Sequence, residues 1–166
     1  MPEKSKITFQ AIGTVRVKAS DDDVRADDHE LESTIEVYPE FKEALDGLNG
    51  FSHIFVLSYL HKLRPEQIGP LKVRPRRFLR KGLKLEELPV VGVFALDSPT
   101  RPNPIGLTVV KLIKIEENTR LRVVGLDCFD GTPVLDIKPY RGSSMPHEYT
   151  IAEWYRGLMQ KAGEDV

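Results

Sequence analysis

Cysteine occurs once in these 166 residues, at Cys128, which excludes an internal disulfide and a zinc site built from several cysteines. No apolar run approaches the roughly 20 residues that cross a bilayer as a helix. Residues 1–6 also lack the hydrophobic stretch of a signal peptide. A cytoplasmic protein with no membrane association is expected. The four histidines never take the H-E-x-x-H spacing of a metal site. No G-x-G-x-x-G run follows a strand-like segment, so a Rossmann framework is not expected. Internal repeats and low-complexity tracts are absent as well.

What remains is a chain that is 40% hydrophobic and 30% charged, enough for one globular domain with a core and too short for a second. The expectation is a single domain over 1–166. The net charge of -1 averages two opposite segments. Residues 62–84 carry Lys62, Arg64, Lys72, Arg74, Arg76, Arg77, Arg80, Lys81 and Lys84 against Glu66 alone, a candidate surface for a polyanion. Residues 21–32 carry seven acids against Arg25 and predict a solvated, mobile loop.

Short β-rich runs over 7–17, 34–37, 51–59, 89–96, 107–115, 121–126 and 134–138 predict strands, with a hairpin loop at 116–119. In 51–59, His53, Phe55, Leu57 and Tyr59 share one face, joined by His61 if the strand continues. Strands follow one another without long helices, which favours a closed or nearly closed antiparallel or mixed β-barrel, here placed over 7–140. A short internal helix is predicted over 39–48 behind Pro39. An amphipathic C-terminal helix within 147–163 places Ile151, Ala152, Trp154, Tyr155, Leu158, Met159 and Ala162 on one face. Thr150 and Glu153 have capping-box spacing before it. That stripe either covers the sheet or meets a partner.

Two turns could carry chemistry. Arg101-Pro102-Asn103-Pro104-Ile105-Gly106 combines two fixed φ angles and a glycine between strands. Taken alone, it reads equally as a structural turn. Residues 126–140 place Asp127, Asp130 and Asp136 around a Gly131-Thr132-Pro133 turn, where a carboxylate and exposed backbone suit a polar or cationic ligand. Ordinary turn formation and ion pairing explain the same residues.

Together with Gly92-Val93-Phe94-Ala95, Ile12-Gly13 with Arg16, Gly50-Phe51-Ser52-His53-Ile54 and Val73-Arg74-Pro75-Arg76, these runs resemble the TsaA-like family in order and over most of the chain. The resemblance implies a small β-barrel, usually a homodimer, that uses S-adenosyl-L-methionine and no metal to methylate tRNA. The implied target is the exocyclic nitrogen of threonylcarbamoyl-adenosine beside the anticodon. By the same resemblance His61, Lys62, Leu107, Asp130, Gly131 and Thr132 match donor-binding positions, and Asp97, Arg101 and Asn103 shape the cleft. Asp130 is the first candidate to take or orient the amine proton. Arg74, Arg76, Arg77, Arg80 and Lys81 gain a use as phosphate contacts to tRNA.

Two segments depart from the family pattern. Ala95-Leu96-Asp97-Ser98-Pro99 stands where members usually have Ala-Thr-Arg-Ser-Pro, exchanging a cation for an anion. The aspartate-rich stretch around 21–28 replaces a Pro-Arg-Gln type run. These departures motivate the alternative of a non-catalytic module of the same fold that holds an adenosyl or nucleotide ligand, or RNA.

Overall fold

Backbone pairing in a computed structural model closes six strands into a barrel. The structure describes residues 6–26, 29–144, 146 and 148–165. Among the described residues eight strands follow in order: β1 (Gly13–Arg16), β2 (Glu32–Val37), β3 (His53–Tyr59), β4 (Lys72–Val73), β5 (Val91–Gly92), β6 (Ile105–Glu116), β7 (Arg120–Val124) and β8 (Pro133–Pro139). The α-helices among the described residues are α1 (Asp21–Ala26) and α2 (Glu153–Lys161). The chain divides into two compact units, one of residues 1–62 with 105–142 and one of 63–104 with 143–166. Residues 63–104, within the span assigned to the barrel from sequence, thus belong to the second unit.

The first unit is the barrel, in the order β1-β2-β7-β6-β3-β8 with every pairing antiparallel. Alternate residues turn inward, so Val15, Ile35, Ile54, Val56, Val110, Leu121, Val123 and Val134 fill the interior. A side chain at Gly13 would collide with the Glu36 carbonyl, so glycine permits the β1 to β2 approach there. On β3 the inward set is Ile54, Val56 and Ser58. The histidine-aromatic set lies on the outer wall, where Tyr140 packs against Phe55 with ring centres 5.4 Å apart. Outside β1, β2 and β7, Glu36 sits between Arg16 at 2.9 Å and Arg120 at 3.4 Å, which holds its carboxyl below the usual range.

Several elements differ from their sequence-based expectation. Of the strand expected over 7–17, only Gly13–Arg16 is strand, and Ile7 and Phe9 are exposed. The segment at 39–48 forms a 3-10 helix over Pro39–Leu45, ended by Gly47 at φ 80°. Acidic residues expected in a mobile loop begin with a helix, because Ser20 and Asp23 cap each other. The Asp23 amide donates to Ser20 Oγ at 3.2 Å and Ser20 N donates to Asp23 Oδ2 at 3.1 Å. The Ser20 hydroxyl, donating to Asp23 Oδ2 at 2.6 Å, and then the Ser20 amide lower the Asp23 pKa, and the three first-turn acids suit the helix dipole. Asp27 and Asp28 lie outside the described residues.

In the second unit, β4 and β5 form a two-stranded ladder. The strand expected over 89–96 shrinks to Val91–Gly92, since Pro89 lacks a donor and the chain enters a 3-10 turn at Val93–Ala95. Helix α2 packs Leu158, with Trp154, Tyr155, Met159 and Ala162, against Phe78, Leu83 and Leu88. Its apolar stripe is therefore used within the unit. The cap position is Ala152, which forms no side-chain cap bond, so Thr150 does not close the expected capping box. No helix among the described residues is long and apolar enough to cross a membrane.

Candidate functional site

In an antiparallel barrel, strand ends alternate, and one rim here gathers the exits of β1 and β3 with the entries of β6 and β8. His61 and Lys62 follow β3, the Asp130-Gly131-Thr132 turn leads into β8, and Leu107 lies near the start of β6. The six positions singled out as donor contacts thus fall on one rim of one unit.

The turn is built by backbone. Thr132 N donates to Phe129 O at 3.1 Å, with Gly131 at φ 80°, the value required at that position of a type II turn. Gly131 N donates to Val15 O, and Val15 N to Thr132 O, both at 2.9 Å. Asp130 completes the tie: its Oδ1 accepts the Val17 amide at 3.1 Å, and Oδ2 stands 4.0 Å from Arg16 Nη1. Thr132 is buried and Leu107 is 66% exposed on the outer wall.

His61 faces this turn. A Cβ placed on Gly131 would lie 4.0 Å from His61 Nε2, with no other described atom outside the adjoining residues as near, so the glycine leaves its face open toward the imidazole. His61 Nδ1 is buried without a hydrogen-bond partner among the described residues. Burial, then the Lys62 ammonium, push the ring pKa below its ordinary value, while Asp21 acts in the opposite direction.

Sequence reasoning missed the partners that α1 brings. Lys62 Nζ donates to both carboxylate oxygens of Asp21, at 2.6 and 2.9 Å. Phe129, just before the turn, carries the Arg25 guanidinium 4.8 Å and the Lys62 ammonium 5.0 Å from its ring centre. Nothing local in the sequence signals a contact spanning 41 or 104 positions; only barrel closure creates it. Nearby, Thr108 Oγ1 donates to Asp127 Oδ1 at 2.6 Å. The buried Cys128 thiol donates to Ser58 Oγ at 3.4 Å, and burial pushes its pKa up to about 11. That thiol is an inert packing group.

At the opposite rim, Ile12, Phe41, Leu45, Leu48, Phe51 and Ile137 help line an apolar hollow of about 320 Å³. Among the described residues no group of three or more His, Cys, Asp or Glu side chains is arranged to hold a metal ion.

The other candidates lie in the second unit. Arg101 holds its own loop, donating from Nη1 to Leu96 O at 3.2 Å and Ser98 O at 3.5 Å, while Asp97 and Asn103 are exposed. Arg74 donates to the Leu88 carbonyl and, at 3.3 Å, to the Leu85 carbonyl. Arg77 forms a fork on Glu164 at 2.8 and 3.2 Å and donates to the Tyr155 hydroxyl. Lys81 stands 3.6 Å from Glu164. Arg76 and Arg80 are exposed.

Comparison with known proteins places this geometry in context. The family model described as the tRNA-methyltransferase O N-terminal domain matches residues 24–144. A probable S-adenosyl-L-methionine-binding protein of Methanothermobacter thermautotrophicus is 46% identical over 109 residues, covering 66% of this chain and 69% of its own length. The tRNA (adenine(37)-N6)-methyltransferase of Mus musculus is 44% identical over 99 residues, 60% of this chain and 21% of the mouse protein. A crystal structure of TrmO superposes with a TM-score of 0.65 at 32% identity, covering 88% of this chain and 64% of that one. The chain therefore spans less than two thirds of the mouse protein and of the solved TrmO.

Proposed function

This chain belongs to the TsaA-like family that carries the tRNA-methyltransferase O N-terminal domain, and from that premise we propose that it is an S-adenosyl-L-methionine-dependent tRNA methyltransferase. The observation that carries the reading is the Gly131 turn facing His61 Nε2 at one barrel rim, on a ring whose buried Nδ1 has no hydrogen-bond partner among the described residues. A ring nitrogen, Nε2, presented to open backbone fits a polar nucleoside ligand. His61, Lys62, Leu107, Asp130, Gly131 and Thr132 would hold the donor.

Bound there, S-adenosyl-L-methionine supplies an electrophilic methyl group on a sulfonium. The chain's residues align the accepting amine with that donor and exclude water. Asp130, fixed by the Val17 amide, orients the amine or takes its proton. Asp97, Arg101 and Asn103 shape the cleft. The substrate is threonylcarbamoyl-adenosine beside the anticodon, methylated at its exocyclic nitrogen, and exposed bases of the stretch from Arg74 to Lys81, Arg76 first among them, meet tRNA phosphates. The protein works in the cytoplasm, as one TsaA-like functional domain and as a homodimer. Leu107 and the 41%-exposed Val109, apolar on the outer wall of β6, support the dimer.

Calorimetry with S-adenosyl-L-methionine, followed by transfer of a labelled methyl group to total tRNA, tests the reading. Saturable binding and labelled tRNA are expected. No binding at millimolar donor overturns it. A second reading, a non-catalytic adenosyl-, nucleotide- or RNA-binding module, is favoured by Asp97 and by the hold of Asp21 on Lys62. Binding without transfer, even to tRNA carrying the threonylcarbamoyl group, would select it.

A further inference from the structure

We propose that Asp21 is a specificity residue of this site, an internal carboxylate that competes for Lys62 with the carboxylate of an incoming ligand. The inference rests on the reading of Lys62 as a donor contact. Both Asp21 oxygens lie on the Lys62 ammonium, so the whole carboxylate is committed to that one cation. The two side chains are 38% and 37% exposed, so water only partly screens them. Asp21 does not depend on this contact for its place, because α1 is fixed independently. Val24 is buried beneath the helix, Ser20 and Asp23 cap it, and Arg25 lies over Phe129.

Lys62 therefore presents a neutralised charge to the rim. A ligand that brings its own carboxylate must displace Asp21 or share one ammonium with a second anion, and like charges that close repel. A ligand with the same adenosyl group and no carboxylate meets no such cost. Asp21 thus weakens amino-acid-bearing adenosyl ligands selectively and keeps the site tuned between the two ligand types.

The test compares the full chain with its Asp21→Asn and Asp22→Asn variants by calorimetry. Two probes are used: S-adenosyl-L-methionine, and 5′-methylthioadenosine, which lacks the amino-acid part. Asp22 serves as the control because it sits on the same helix and bonds Arg25 at 2.8 Å instead of Lys62. Asp21→Asn should tighten S-adenosyl-L-methionine about two- to fivefold, the scale of one exposed ion pair, and leave methylthioadenosine unchanged. Asp22→Asn should move neither. Thermal melts of the three proteins check that α1 remains folded. Equal tightening of both ligands, equal effects of the two variants, or no change on Asp21→Asn would each overturn the proposal. Weaker binding on Asp21→Asn would also overturn it, since Asp21 would then be contacting a cationic part of the donor. If the unaltered chain binds neither probe, the donor-site reading itself fails and this inference goes with it.

Discussion

His61 carries its imidazole to a place where burial and the Lys62 ammonium disfavour a ring proton, so its pKa falls below the ordinary value of 6.5. Between the folded and the unfolded values, the unfolded chain binds more protons. The contribution of His61 to stability is therefore complete above the unfolded pKa and is lost as pH falls through the folded one. Asp23 and Glu36 also have depressed folded values, and as carboxylates they lose their contributions at lower pH. The informative quantity is thus the difference between the unaltered chain and His61→Gln, followed by urea denaturation from about pH 7 to about pH 5. The unaltered chain should lose stability faster over that window than the variant does. Parallel curves would show that the ring is not held in its neutral form.

At the scale of elements, barrel strands were legible because alternation and turn residues are local properties. The Gly131 turn could be found for the same reason. Which face of β3 turns inward was not legible: His53, Phe55, Leu57 and Tyr59 are as apolar a set as Ile54, Val56 and Ser58, and only pairing with β6 and β8 decides. The acidic run hid α1 because its one buried anchor, Val24, gives too little periodicity to outweigh the seven acids of the run. For α2 the stripe was visible and its partner was not, since Phe78, Leu83 and Leu88 come from 3-10 turns and loops far away in sequence. That packing makes a prediction. Leu158 is 4% exposed, and Leu158→Ala should cost about 2–5 kcal/mol, the range for truncating a buried leucine. Trp154, the only tryptophan, lies in the same helix and reports the loss as a lower denaturant midpoint in its fluorescence. An unchanged midpoint would mean that the cluster does not stabilise α2.

At the scale of the whole molecule, near-neutral net charge coexists with a segment whose bases have unequal duties. Arg77 is bound to Glu164 and Tyr155, and Arg74 to backbone carbonyls, so both hold the second unit together. Arg76, one residue from Arg77, is exposed and has no ion-pair partner among the described residues. Sequence alone gave these arginines one shared role as phosphate contacts, because composition cannot distinguish a committed guanidinium from an available one. If this segment tracks tRNA, Arg76→Ala should weaken binding and reduce the slope of log affinity against log salt by about 0.7 to 0.9, the share of one phosphate contact, with the melting temperature unchanged. Arg77→Ala should instead lower stability by about 1 kcal/mol, a partly exposed bidentate pair being worth no more than that. Filter binding to tRNA across a salt series, paired with thermal melts, separates the two effects. A salt slope that Arg76→Ala leaves untouched would remove Arg76 from the phosphate track, and tRNA would then have to be held by other cations of the chain.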